Sequence, residues 1–357
     1  MSSRTLKFLF IFLLITQNFS RRKEHLSYKR IFYRTKIGNL EVKNHFIRTA
    51  ADEGLATDKG EPTEKLNELY KELCQSTIGT LITSSARVEN YEQSTKNQLG
   101  IYDDSLIPSF KTMIDTAHSY ETKIIMQIKH GSSFNQIDAS HAKILGPSAI
   151  KNPISGINSK EITKDEIKEI IELFSNAALR VKKAGFDGVI IHVAHDNLLS
   201  EFISPIFNHR QDEYGGSPEN RIRIVREILK ASKEKVGKDY PVWIKINSSD
   251  DMKGGLNIED FLEMCKLLEK DGADAFEVSG MIWYGHKEEE RLYYKEGAYK
   301  LSEIVNVPVI LAGGIRDQND IRNIIQNSYI QFFGLSRPFV TDKKYLLDFK
   351  EININYI

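Results

Sequence analysis

Two histidines three positions apart, His192 and His195, follow the apolar run Gly188-Val189-Ile190-Ile191. Imidazoles so spaced can donate hydrogen bonds to one electron-rich atom or act as metal donors. No helix-borne His-Glu-x-x-His pattern accompanies them and no carboxylate or thiolate partner set is evident, so hydrogen bonding is favoured and no metal site is expected. Lys245 lies inside the apolar stretch Val242-Trp243-Ile244-Lys245-Ile246. A buried ammonium is costly unless paired; Glu277 or Asp250 would be a structural partner, and a bound electron-rich group a functional one. Gly313-Gly314 and Gly334-Leu335-Ser336-Arg337 together suit a phosphate, with backbone N–H groups approaching where glycine leaves room and Arg337 adding a planar charged contact. A Walker sequence or a Gly-x-Gly-x-x-Gly after a strand is absent, which excludes the P-loop and Rossmann readings.

Positioning these residues in one place requires elements that end together. From Arg30 onward, short β-rich runs alternate with longer amphipathic ones. Strands are expected over His45–Ala50, Gly79–Ser84, Lys123–Ile128, Gly188–Val193, Val242–Asn247, Ala275–Ser279, Val309–Ala312 and Ile330–Leu335. Between them, Thr163 and Glu166 form a capping-box pattern ahead of Ile167, Ile170, Ile171 and Phe174. A second helix is expected from Ile258 to Glu269, closed by Asp271-Gly272. Eight strands, each followed by a helix, predict a (β/α)8 TIM barrel with its active site at the carboxyl ends of the strands. Those ends carry Thr49-Ala50-Ala51, Ser84-Ser85-Ala86, Gln127 and His130, His192 and His195, and Lys245, followed by the two glycine-containing stretches. The polar loop from Asn208 to Arg221 comes after the histidine strand and belongs to the same mouth.

With 357 residues, 41% hydrophobic content and 49 residues of each charge sign, the chain can bury a large core and shows no basic excess. Nucleic-acid binding is disfavoured accordingly. The two cysteines, Cys74 and Cys265, are too few for a disulfide framework or a four-thiolate cluster, and a reducing, cytoplasmic setting is the simplest expectation. Residues 1–27 form a separate extension. Arg4 and Lys7 precede the apolar run 8–15, which is signal-like but short for a membrane span, so stable membrane insertion is not expected. Either residues 4–16 act as a signal, making the protein secreted or anchored, or the working chain starts near Leu26 or Tyr28. Residues 28–357 are expected as one barrel domain, with homo-oligomerisation open.

Several motifs resemble the Old Yellow Enzyme family, the FMN-dependent NADH:flavin oxidoreductases. They are Asn44-His45-Phe46-Ile47-Arg48-Thr49-Ala50, Met126-Gln127-Ile128-Lys129-His130-Gly131, Gly146-Pro147-Ser148-Ala149, the Ala184 to His195 segment and the Asn208 to Arg221 loop. The resemblance spans Arg30 to Pro338, and Arg48 to Ala51 with Glu53-Gly54 are most similar to the short single-barrel branch. It implies that Thr49, Ala50 and Ser85 line FMN, that Gln127 bonds its pyrimidine edge, and that Lys245, where many relatives carry Arg, lies near N1 and O2. It places Gly313, Gly314, Gly334, Ser336 and Arg337 at the phosphate, and makes His192 and His195 the pair that holds an acceptor's carbonyl oxygen. Asp52 stands where relatives place Cys, Thr or an aromatic residue.

The implied reaction takes hydride from NADH or NADPH through the flavin to an activated alkene, quinone or nitro acceptor. Relatives supply the accompanying proton from a tyrosine two residues after the second histidine. Here that position is Asn197, whose amide is no acid at neutral pH. Tyr284, Tyr293, Tyr294 or water would have to serve instead, unless the acceptor needs no positioned acid. The alternatives are a flavin-binding barrel with little turnover, and a flavin-free lyase or aldolase using Lys245 as a Schiff base. The stretch beyond Pro338 is expected to be too short for the iron-sulfur and second nucleotide domains of longer relatives, so electrons would arrive directly from NAD(P)H or from a partner protein.

Overall fold

The structure, a computed structural model, describes residues 23–90, 95–132, 144–195, 197–281, 289–347 and 349. The run 8–15 and Tyr284 lie outside the described residues. Eight parallel strands close on themselves: β1 (Phe46–Arg48), β2 (Thr80–Arg87), β3 (Lys123–Lys129), β4 (Gly188–Val193), β5 (Val242–Asn247), β6 (Phe276–Ser279), β7 (Val309–Ala312) and β8 (Phe332–Leu335). Each pairs with its neighbours in chain order, and β8 returns to pair with β1. Helices α1 (Glu64–Gln75), α2 (Lys111–Ser119), α3 (Lys164–Ala184), α4 (Arg223–Val236), α5 (Ile258–Lys270), α6 (Lys295–Ile304) and α7 (Gln318–Asn327) fill the successive crossovers. This is the expected (β/α)8 barrel.

Local chemistry accounts for the element ends. At the start of α3, Thr163 Oγ1 accepts from the Glu166 N–H at 3.2 Å, and a Glu166 carboxylate oxygen accepts from the Thr163 N–H at 2.9 Å. These satisfy two amides that a helix start otherwise leaves unpaired. Its apolar residues Ile167, Ile170, Phe174, Ala177, Ala178 and Val181 are buried on the barrel side. Beyond α5, Gly272 takes φ +104°, a left-handed conformation that glycine adopts without a Cβ clash.

Side chains alternate between the two faces of each strand, with a period of two. On β4, Val189, Ile191 and Val193 join the large core beneath the helices, whereas Ile190 points into the barrel. Ile190 belongs to an inward layer with Ile47, Ile82, Ile125, Trp243, Ala275, Ile310 and Phe332. Each large side chain there contributes roughly 1.5–3 kcal/mol by leaving water, so whatever lies above rests on a strongly stabilised floor. The floor is closed from below by an antiparallel hairpin pairing Thr35–Ile37 with Leu40–Val42, whose Ile37, Leu40 and Val42 pack into the same cluster.

Two residues further along each strand, the inward positions change character: Thr49, Gln127, His192, Lys245, Glu277, Ala312 and Gly334. On β2 the strand runs on to Arg87, past its expected end at Ser84, and a register shift between Ile82 and Ser85 puts Ser85 opposite Gln127. Irregularities of this kind re-aim a side chain without ending the strand. At Gly334 an added Cβ would lie 2.7 Å from Thr49 Cγ2 and 2.9 Å from Ala312 Cβ, so the close approach of β8 to its neighbours requires glycine.

Candidate active site

A cleft of about 410 Å³ opens at the carboxyl ends of the strands, within the size range of small-molecule sites. All ten residues expected to contact a flavin line it: Thr49, Ala50, Ser85, Gln127, Lys245, Gly313, Gly314, Gly334, Ser336 and Arg337. His195 lines it as well. His192 and Asn197 do not, so the structure separates the three expected catalytic positions.

His192 points into the barrel one strand from Lys245, the two residues being register partners. It is buried, and its Nδ1 has no hydrogen-bond partner among the described residues. His195 stands over it, edge to face, with ring centroids 5.0 Å apart. The chain turns sharply to achieve this, and His195 adopts φ +60°, uncommon for a residue with a side chain. Its N–H donates to Asn247 Oδ1 at 2.9 Å and its carbonyl accepts from Ser200 Oγ at 2.9 Å, which fixes the turn. His195 Nε2 lies 2.8 Å from Ser279 Oγ. Burial holds both imidazoles well below their usual pKa; the Lys245 and Lys129 cations lower both further, and His195 also lowers His192. Both rings are therefore neutral near pH 7, and each carries a single N–H donor. Among the described residues, no group of three His, Cys, Asp or Glu side chains lies close enough to hold a metal ion.

Asn197, at the position where the resemblance implies a proton donor, is tied to the backbone. Its amide Nδ2 donates to the Ala194 carbonyl at 2.9 Å, and its N–H donates to Ser200 Oγ at 3.1 Å. The side chain thus bonds the backbone at the start of the short helix Leu198–Ile203, and Asn197 is not among the residues that line the cleft. The Asn208 to Arg221 loop is likewise scaffold. Buried Arg210 donates to the Pro147 and Ile162 carbonyls, at 3.1 and 2.6 Å, and forks onto Asp212. Asn208 Nδ2 bonds the Phe202 and Tyr214 carbonyls, both at 2.7 Å.

At the cleft floor, Lys245 Nζ approaches Glu277 Oε1 at 2.9 Å, with side chains 5% and 0% exposed. Neither Glu277 oxygen has an aligned hydrogen bond, so the pairing is one of charge. Asp250, the other partner considered for Lys245, instead accepts from Ser204 Oγ at 2.6 Å and from the Leu256 N–H at 2.7 Å. Gln127 Nε2 donates to Ser85 Oγ at 2.6 Å, and its Oε1 has no partner among the described residues. The floor thus offers a cation, an unused amide oxygen and, beside them, neutral imidazole.

At the far end, Gly313 and Gly314 take φ +99° and +78°, and a Cβ on Gly314 would collide with the Leu292 backbone nitrogen. Arg316 and Arg337 both line the cleft and both donate to the Tyr293 phenol oxygen, at 2.8 and 3.1 Å. Two guanidiniums beside a glycine-lined backbone favour a dianion. Arg316 escaped the sequence reading although it stands two residues after Gly314. Ser279 escaped it too, although the period of two from Ala275 through Glu277 aims it at the mouth. Asp52 is on the cleft wall, its carboxylate 3.8 Å from Lys129 Nζ.

Residues 30–352 match the family model described as NADH:flavin oxidoreductase / NADH oxidase family. The chain is similar to an NADH oxidase of Thermoanaerobacter brockii, 32% identical over 343 residues, covering 92% of this chain and 52% of that protein. An NADPH dehydrogenase of Clostridium acetobutylicum is 30% identical over 341 residues, covering 92% of this chain and 97% of that one. The chain spans about half the length of the first curated relatives it matches. Among solved structures, a 2-naphthoyl-CoA reductase superposes with a TM-score of 0.85 at 24% identity, over 91% of this chain and 52% of that one. An old yellow enzyme homologue from Zymomonas mobilis gives 0.78 at 21%, over 90% and 92%; these two likenesses are of fold. No helix among the described residues is long and apolar enough to cross a membrane.

Proposed function

The chain belongs to the NADH:flavin oxidoreductase / NADH oxidase family, a family of FMN-dependent enzymes, and from that premise we propose that its barrel mouth is an FMN site serving reduction of small electron-poor acceptors. The observation that carries this reading is the convergence on one cleft of an unused Gln127 Oε1, the Lys245 cation, Gly313-Gly314 and two guanidiniums. Such a set fits a ring system with hydrogen-bonding edges at one end and a phosphate at the other. Gln127 and Lys245 would hold the pyrimidine edge, Thr49, Ala50 and Ser85 the ring face and rim, and Gly314, Arg316, Ser336 and Arg337 the phosphate. When bound, FMN supplies the two-electron chemistry that connects NADH or NADPH with the acceptor.

The protein's own part is electrostatic and positional. The Lys245 ammonium favours a negative form of whatever lies over it. His195, neutral and fixed by Asn247 and Ser200, offers a single N–H to an acceptor oxygen, backed by His192 beneath. Polarising that oxygen draws electron density from the conjugated carbon and prepares it to accept hydride. The cleft admits an activated alkene, a quinone or a nitro compound as acceptor. A second reading, flavin binding with little alkene turnover, is favoured by Asn197, whose amide is committed to the Ala194 carbonyl.

Purified protein should carry an absorbance band in the blue, release FMN on denaturation, and oxidise NADH or NADPH when menadione, cyclohexenone or a nitroarene is added. A colourless protein that binds no added FMN would refute the cofactor assignment and return Lys245 to Schiff-base chemistry. A yellow protein that neither nicotinamide bleaches would favour the low-turnover reading.

A further inference from the structure

Alkene reduction needs a proton on the carbon next to the one that takes hydride, and the amide of Asn197, no acid, is committed to the Ala194 carbonyl. We propose that Tyr294 is the acid for that step, held in position by Ser279; the proposal rests on the flavin-reductase reading above.

Three candidates remain for a tyrosine acid, and the geometry separates them. Tyr293 has its phenol oxygen engaged by the guanidiniums of Arg316 and Arg337, the pair assigned above to the phosphate. Tyr284 lies outside the described residues. Tyr294 and Ser279 both line the cleft, and the Tyr294 ring lies against Gly280, the residue that follows Ser279, so that the Ser279 side chain acts on its phenol. Ser279 Oγ is in turn 2.8 Å from His195 Nε2. A phenol, a hydroxyl and an imidazole therefore stand in series along the wall where an acceptor oxygen would bind.

The site is shaped around the Tyr294 ring. A Cβ on Gly280 would collide with Tyr294 Cε1, and one on Gly313 would lie 3.1 Å from Cε2. Two glycines thus make the slot that seats this phenol beside β6 and β7. Burial raises the Tyr294 pKa, so its proton stays in place across the working pH range. While His195 holds the acceptor's carbonyl oxygen, Ser279 stands between that imidazole and the phenol.

In this step the alkene β-carbon accepts hydride, the π pair moves to the α-carbon, and that carbon forms a bond to the Tyr294 proton as the O–H bond breaks. The phenolate left behind takes a proton from water through the open cleft. The hydride is that of NADH or NADPH, which FMN would relay when bound, and no other oxidant or reductant is required. Ser279 is a positioning residue, and the acid is Tyr294 alone.

The test uses holoenzyme, comparing cyclohexenone, which must be protonated on carbon, with menadione, which is protonated on oxygen. The ratio of enone to quinone turnover in Y294F is expected to fall at least a hundredfold, the scale of a positioned acid; in S279A it should fall about tenfold. Wild-type product formed in D2O should carry one deuterium on the α-carbon, and the solvent isotope effect on reoxidation by enone should vanish in Y294F. Independently of turnover, S279A should move the His195 imidazole ¹⁵N resonances. Retention of the flavin band certifies that each variant is folded. An unchanged turnover ratio in Y294F would overturn the proposal, as would a wild-type enzyme that reduces menadione but not enone. Failure of both nicotinamides to bleach the flavin would overturn the reading beneath it, and the proposal with it.

Discussion

Glu277 is the residue whose replacement exposes the energetics of the cleft floor most directly. Glu277→Gln keeps the shape of the side chain and removes its charge, leaving Lys245 with 5% of its side chain exposed and no carboxylate beside it. Removing one member of a buried ion pair costs about 3–5 kcal/mol. The protein free of cofactor should therefore lose about 3–5 kcal/mol of stability. Equilibrium unfolding in urea measures it, with K245M and the double variant E277L/K245M completing the comparison. The double variant should recover most of the loss, because well-packed apolar replacements of a buried pair are often neutral. If E277Q stays within about 1 kcal/mol of wild type, the pair is not electrostatically buried and the reasoning fails.

Other consequences are open to measurement. Burial raises the Asp250 carboxyl to about 6 from its ordinary 3.8, so the fold favours the protonated form. That contribution is full below about pH 4 and lost as pH rises through 6, a swing of about 3 kcal/mol; the stability-versus-pH curve of D250N should lack it, and parallel curves would contradict the assignment. Arg337→Ala should weaken FMN binding about 10- to 100-fold, as expected for a charge-assisted bond worth roughly 1.5–3 kcal/mol. Riboflavin binding by the same variant should be unchanged in a flavin-fluorescence titration, and an equal loss for both would exclude a phosphate contact. Gly334→Ala forces a methyl against Thr49 and Ala312 and should cost about 1–3 kcal/mol. Adding Thr49→Ser, which removes the nearest atom, should return part of that stability in thermal unfolding; strict additivity would argue against the contact.

The barrel was legible because period-two and helical patterns alternate without interruption, and because Thr163 with Glu166 and Gly272 mark element ends by their own chemistry. The inward aim of Gln127 and Lys245 was legible for the same reason: they sit two positions above Ile125 and Trp243, so strand parity alone turns them toward the cleft. Parity is also where the reading ran short. Ser85 faces the cleft only because a register shift intervenes after Ile82, and no local pattern announces it. Asn197 was judged by its place in a motif, whereas its side chain follows the backbone carbonyl at Ala194. His192 and His195 look equivalent in sequence, yet one lies within a strand and the other occupies a left-handed turn, which puts them at different depths. Arg316 gains its position from a loop after β7, which no periodicity in the sequence describes, whereas Ser279 ends β6 and was open to the same parity argument.

The hairpin that seals the lower end of the barrel, through Ile37, Leu40 and Val42, has a kinetic corollary. With that end sealed, the described cavity opens at the carboxyl ends of the strands. Under the proposed function, a nicotinamide donor and an electron acceptor would take turns at that threshold, each leaving before the other enters. Steady-state plots should accordingly be parallel lines, and a large excess of either reactant should slow the cycle by occupying the entrance when its counterpart is due.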